Sequence, residues 1–138
     1  MKKQIFMAVF LSISTCCLYA QQPDYKVVFD MSTRDSISQQ AVIREVELIR
    51  KENPAAKLEV VVYGQALSLV NKDQSKHAAA ITRLSSDSNT TFKVCAFTMK
   101  RFNIDASKLV AGVQVVPDGI YEIISKQRAG WGYIKVAH

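Results

Sequence analysis

Leu58-Glu59-Val60-Val61-Val62-Tyr63-Gly64 is the stretch whose reading decides the fold. It is nearly all apolar and β-branched, without the polar–apolar alternation of a strand that keeps one face in water. That is the pattern of a strand covered on both faces, and Gly64 punctuates its end. Such a strand belongs inside a parallel sheet with helices packed on either side. The segments around it should therefore alternate between strand and helix.

Working outward, they do. Tyr25 to Asp30 is a short apolar run closing on polar residues, a first strand. Ser36-Ile37-Ser38-Gln39 has capping-box spacing, with Ser36 placed to receive the third helical amide and Gln39 to reach back. Ala41, Val42, Val46, Leu48 and Ile49 follow as an apolar stripe at helical spacing, which Asn53-Pro54 ends. Beyond Gly64, residues Ala66 to Val70 fit either a short helix or an extended piece. Lys76 to Leu84 reads as a helix, Ser85 to Thr90 as a polar loop, and Thr91-Phe92-Lys93-Val94-Cys95-Ala96-Phe97 as the third strand and its exit. A short helix is expected around Met99 to Phe102, and Asp105 is placed to cap a turn. Val113 to Val116 is a fourth strand stopped by Pro117-Asp118-Gly119. A helix from Ile120 to about Arg128 follows, and Gly130-Trp131-Gly132 leads into a last strand, Tyr133 to Val136. The expectation is one domain, a three-layer α/β/α sandwich with a mainly parallel sheet of about five strands, with no internal repeat or low-complexity linker.

The N-terminus has a different character. Lys2 and Lys3 precede an apolar run from Ile5 to Leu18, too short to span a bilayer. Leu18-Tyr19-Ala20 offers a cleavage point after Ala20, so residues 1–20 are expected to be a cleaved signal peptide and residues 21–138 the mature domain. Lipidation at Cys16 is the alternative, and Thr15 is a poor residue to precede it. The mature chain is then exported, periplasmic, and without a second hydrophobic span to hold it in a membrane. The net charge of +6 falls to +4 without Lys2 and Lys3. Its basic residues are spread among acidic ones, as in Arg50-Lys51-Glu52, so no nucleic-acid partner is expected. His77 and His138 are joined by no acidic cluster or second mature cysteine, which argues against a metal site. The first strand runs into Ser32-Thr33-Arg34-Asp35 rather than a Gly-x-Gly-x-x-Gly turn, which disfavours a dinucleotide; no cofactor is expected. Ser32 lacks a nucleophile-elbow context.

Without the leader, Cys95 is the one remaining thiol, with no internal partner. It is a buried filler, an intermolecular bridge or a reactive group. Ligands of open parallel sheets bind beyond the carboxyl ends of the strands. Met31 to Asp35, Gly64-Gln65, Cys95 to Thr98 and Pro117-Asp118-Gly119 arrive there. If Thr98 begins the next helix, free amides and the positive end of the helix dipole lie near the thiol and lower its pKa. A small core hydrophobe would occupy the same position, and the residues alone leave both readings open. Arg34 could bind an anion at this edge or pair with Asp35. Gly119 could present helix amides to an anion or simply complete a turn. His77 is a base for Cys95 only if the fold brings the two together. Trp131 packs at the core edge or at a subunit interface.

From Tyr25 to Val136 the chain resembles the DsrE/DsrF-like family, small α/β proteins of sulfur relay. The resemblance is carried by the strand ending near Gly64, by Phe92-Lys93-Val94-Cys95 with Thr98-Met99-Lys100, by Val115-Val116-Pro117-Asp118-Gly119, and by Gln127-Arg128-Ala129-Gly130-Trp131-Gly132-Tyr133-Ile134-Lys135. It implies a parallel-sheet domain that assembles into homo-oligomers, often trimers or hexamers. It also implies that Cys95 matches the cysteine that carries a persulfide in the sulfur-relay members. Phe97 departs from the small polar residue, commonly Asn, that many relatives have there. The leader is a second departure, placing the protein away from cytoplasmic relay partners. The expected function is an envelope sulfur carrier or sulfur-transfer protein, with Cys95 as persulfide acceptor and a sulfur donor or acceptor protein as partner. The alternative is a non-enzymatic oligomeric module that binds a small anionic ligand or a partner protein, with Cys95 structural. A third possibility is redox sensing through an intermolecular disulfide. The candidate binding residues beside Cys95 are Arg34, Gly64, Thr98 and Gly119.

Overall fold

The computed structural model describes residues 24–136; the leader, Cys16, Cys17 and His138 lie outside the described residues. In chain order the elements are β1 (Lys26–Met31), α1 (Ser36–Glu52), β2 (Lys57–Val62), a 3-10 segment (Gly64–Leu69), α2 (Ala78–Ser85) and β3 (Thr90–Cys95). They continue with α3 (Ala96–Arg101), a 3-10 turn (Ala106–Lys108), β4 (Gln114–Val116), α4 (Gly119–Arg128) and β5 (Gly132–Val136). The strands form one sheet in the order β4-β3-β2-β1-β5, and every pairing is parallel. This is the expected α/β architecture, with helices on both faces. The stretch after Gly64, open between helix and extended chain, is 3-10 helical.

β2 stands at the centre, and none of its residues from Leu58 to Val62 is more than 1% exposed. Alternation along the strands sorts side chains onto the two faces. Val27, Phe29 and Met31 of β1, Leu58, Val60 and Val62 of β2, and Phe92 and Val94 of β3 point to the first face. There they form the main core with Val42, Ile43 and Val46 of α1, Ile81 and Leu84 of α2, and Met99 of α3. The second face has a smaller core, Val28 and Val61 against Ile123 of α4, edged by Tyr63 and Trp131.

The rest of the second face is polar. Glu59, pointing out of the central strand there, receives Lys93 at 3.1 Å, Lys126 at 2.9 Å and the Thr91 hydroxyl at 3.2 Å, all on Oε2. Glu122 of α4 joins through Lys93 at 2.7 Å, and Lys126 lies 4.4 Å from the centre of the Trp131 ring. Two carboxylates and two ammonium groups thus neutralise one another between α4 and the sheet.

One local expectation is corrected. α1 is capped by Asp35, whose carboxylate accepts from the Ser38 amide at 2.7 Å, and Ser36 is already the first helical residue. Gln39 does not reach back to close a capping box; its Nε2 donates to Ser68 Oγ at 3.1 Å. Aspartate and serine are comparable caps, and the earlier one prevails as the 3-10 segment gives Gln39 a half-buried partner in Ser68.

Candidate functional site

β3 delivers Cys95 to the carboxyl edge of the sheet, and the chain turns there directly from strand to helix. Cys95 is the N-cap residue of α3, with φ −72° and ψ 122°, so α3 begins at Ala96 rather than at Thr98. Phe92 and Val94 point to the first face, so Lys93 and Cys95 point to the second, toward α4. The thiol is unpaired and 5% exposed.

The start of α4 lies over it. A Cβ on Gly119 would stand 3.2 Å from the Cys95 Cβ, 3.2 Å from Val61 Cγ1 and 3.4 Å from the Tyr63 Cβ. Absence of a side chain lets the helix settle at this distance from the strand ends. Gly119→Val is therefore expected to destabilise the protein by about 1–3 kcal/mol through overpacking, read as a lowered midpoint in urea unfolding. An unchanged midpoint would show that the helix is not seated on Cys95 as described. The first free amides of α4 are already engaged, since Asp118 Oδ1 accepts from Ile120 N at 2.8 Å and Tyr121 N at 3.3 Å. The role visible for Gly119 is close packing against the cysteine.

Gly64 and Thr98 are also brought together. Thr98, 7% exposed, accepts a hydrogen bond on Oγ1 from the Gly64 amide at 3.0 Å. Gly64 has φ +60°, a left-handed conformation that glycine adopts without a side-chain penalty. The next amide, of Gln65, donates to the Ser32 carbonyl at 3.1 Å. The exits of β1, β2 and β3 are thus tied together. Arg34 does not meet Cys95: it lines a separate crevice with Gly64, Gln65, Arg101 and Phe102. Among the described residues its guanidinium forms no ion pair, and Asp35 turns instead to the α1 cap. His77 occupies the N-cap position of α2, which packs on the first face, whereas the Cys95 side chain joins the second.

Four residues not picked out from the sequence complete the second-face edge. Val62 pairs with Val94, so Tyr63 and Cys95 follow side by side. Beyond Tyr63, Asp30 is 5% exposed; it accepts from Tyr133 Oη at 2.7 Å and from Lys135 Nζ at 3.0 Å. Lys135 also donates to Ser32 Oγ at 2.8 Å and lies 5.6 Å from the centre of the Tyr63 ring. Burial, then the hydrogen bond and negative charge of Asp30, push the Tyr63 phenol above its usual 10.0. Tyr133 is raised chiefly by its hydrogen bond to Asp30. For Lys135, burial acts downward, but the Asp30 hydrogen bond and charge outweigh it and raise the pKa. At neutral pH the second-face edge from Tyr63 across to β5 therefore presents neutral phenols and a cationic ammonium. The sequence signal was the shared parity of Asp30, Tyr133 and Lys135, which becomes visible only when β5 is known to pair with β1.

No group of three or more His, Cys, Asp or Glu side chains among the described residues is arranged to hold a metal ion. No described helix is long and apolar enough to cross a membrane.

A five-stranded parallel sheet whose third strand ends in a thiol under the start of the last helix defines a small α/β domain. The chain belongs to the DsrE/DsrF-like family, whose model matches residues 26–136. Among solved structures it is similar to the protein of unknown function MTH1491 from Methanobacterium thermoautotrophicum. The identity there is 28%, with a TM-score of 0.75 over 81% of this chain and 99% of that one. The ychN protein from E. coli shares the fold at 14% identity and a TM-score of 0.67, over 81% of this chain and 98% of that one. BT1422 from Bacteroides thetaiotaomicron, a conserved protein of unknown function, shares it at 14% and 0.63, over 80% and 94%. No curated protein matches the chain.

Proposed function

We propose that the protein is a sulfur carrier of the cell envelope, with Cys95 as its persulfide acceptor. The observation that carries this reading is the position of the single mature thiol, at the carboxyl edge of a DsrE/DsrF-like sheet, next to Tyr63 at the end of the neighbouring strand. In the loading step the Cys95 thiolate attacks the outer sulfur of a donor persulfide. A Cys95 S–S bond forms, the donor S–S bond breaks, and the donor leaves as a thiolate: Cys95-S⁻ plus R-S-SH gives Cys95-S-SH plus R-S⁻. The reverse attack, by an acceptor thiolate on the outer sulfur, unloads the carrier. Exchange of this kind depends on thiolate fraction, nucleophilicity and access together.

Access is the step that the geometry controls. Cys95 is 5% exposed under Gly119, so the sulfur is shielded from solvent thiols until the start of α4 yields. The leader supports work outside the cytoplasm, and the family resemblance supports a homo-oligomer, a trimer or hexamer, as the working form. The reading predicts that iodoacetamide modifies Cys95 in the folded protein through a local opening, at a rate insensitive to low urea. A rate that follows global unfolding across the same urea range would instead make Cys95 a packing residue, as the binding-module alternative requires.

A further inference from the structure

On the first-face side of the strand exits, the loops after β1 and β2 and the end of α3 enclose a crevice separate from the cysteine. Its outer part, about 350 Å³, is lined by Arg34, Gly64, Gln65, Arg101 and Phe102. It runs inward past the same Arg34, Gly64, Gln65 and Phe102 to Asn71, with about 240 Å³ in that part. No aspartate or glutamate lines either part. Neither arginine forms an ion pair among the described residues. The Arg101 guanidinium lies 5.9 Å from the centre of the Phe102 ring, and that ring is 46% exposed. At the inner end lies Asn71, 4% exposed, whose Oδ1 accepts from the Asp73 amide at 3.0 Å.

These features select one kind of ligand. Two guanidiniums with no acid between them favour an oxyanion, which the fork of an arginine can bind through paired hydrogen bonds. A half-exposed aromatic ring beside them favours a flat apolar body, and the volume suits a small molecule rather than a peptide. The position, beyond the carboxyl ends of parallel strands, is where open α/β sheets bind ligands. We propose that this crevice is a binding site for a small organic oxyanion, a phosphate, sulfonate or carboxylate carried on a planar apolar body. Arg34 and Arg101 hold the charged group and Phe102 packs on the body. The site is independent of the sulfur chemistry proposed for Cys95, because the cysteine does not line it.

The test is calorimetric titration of the full mature protein with phenyl phosphate, with inorganic phosphate and phenol as its two halves. Saturable binding of phenyl phosphate is expected, with each half at least about ten-fold weaker. Arg34→Ala and Arg101→Ala, both exposed positions that should fold normally, are each expected to weaken it about ten-fold or more, as for loss of a charge-assisted hydrogen bond. Cys95→Ser should leave it unchanged, which separates this site from the thiol. Absence of saturable binding, binding indifferent to both arginine substitutions, or inorganic phosphate binding as tightly as the ester would each overturn the proposal.

Discussion

Lys93→Met is expected to destabilise the protein by about 3 kcal/mol, the lower end of what removing one partner of a buried ion pair costs. Lys93 lies between two carboxylates, Glu59 at 3.1 Å and Glu122 at 2.7 Å, and the Glu59 side chain is 2% exposed. Methionine would fill much the same volume but leave Glu59 with Lys126 as its remaining ammonium partner. The other Glu59 oxygen, Oε1, is buried without a hydrogen-bond partner, so the carboxylate has no spare contacts to offset the loss. The effect should come from the unpaired charge rather than from lost packing. Glu59→Leu with Lys93→Met removes one charge of each sign and keeps Glu122 beside Lys126, at 3.6 Å. That double variant should recover most of the stability, and the coupling between the two sites in a double-mutant cycle measures the pair.

The same cluster sets a pH dependence whose direction follows from its groups. For Glu122, burial acts upward, but the hydrogen bond from Lys93 and the nearby ammonium charges hold its pKa below the usual 4.5. A depressed carboxylate stabilises the fold above about pH 4.5, and that contribution is lost as the pH falls through the lower folded value. For Lys93, burial acts downward, but the hydrogen bonds and charges of Glu122 and Glu59 prevail and raise it above 10.5. Its contribution is complete at neutral pH and disappears only as the pH rises beyond 10.5 through the folded value. Lys93→Met should therefore flatten the acid limb of the stability profile as well as lower its plateau.

The fold was legible because its strongest signal is a pattern of burial. Leu58 to Val62 is apolar on both parities, and a strand read that way requires a covered parallel sheet. Glu59 alone breaks the run. Its role was hidden, because its partners come from β3 and from α4, far along the chain. Cys95 could be placed at the sheet edge, since the end of an apolar strand before a helix is a local feature. Its surroundings could not. Gly119 reads as a turn glycine, and its closeness to the cysteine appears only when α4 crosses the second face. Tyr63, Asp30, Tyr133 and Lys135 assemble through the β1–β5 pairing, a contact between the first and last strands. Arg34 stands out in its loop, but Arg101 and Phe102, which share its crevice, close a helix whose register fixes them there. The α1 cap shows the same limit on a smaller scale, because Gln39 is drawn away by Ser68 from another segment.

Loss of sulfur uptake on Cys95→Ser is the largest effect expected of the proposed carrier, because removal of residues 1–20, which the proposal includes, leaves no second thiol to take over the role. Serine keeps the size and the buried position, so the folded structure should survive while the nucleophile and the S–S bond it forms are lost. A general loss of activity could come from misfolding. Mass gain on an intact, folded protein cannot, so it is the observation to make. The direct measurement is intact-protein mass spectrometry of the mature chain after incubation with a low-molecular-weight persulfide. Wild-type protein should gain the mass of one sulfur atom, located on Cys95 by fragmentation and released by a thiol acceptor, while folded Cys95→Ser gains none. An unmodified Cys95 under conditions that load a free cysteine peptide, or equal sulfur gain by Cys95→Ser, would contradict the assignment of Cys95 as the sulfur carrier.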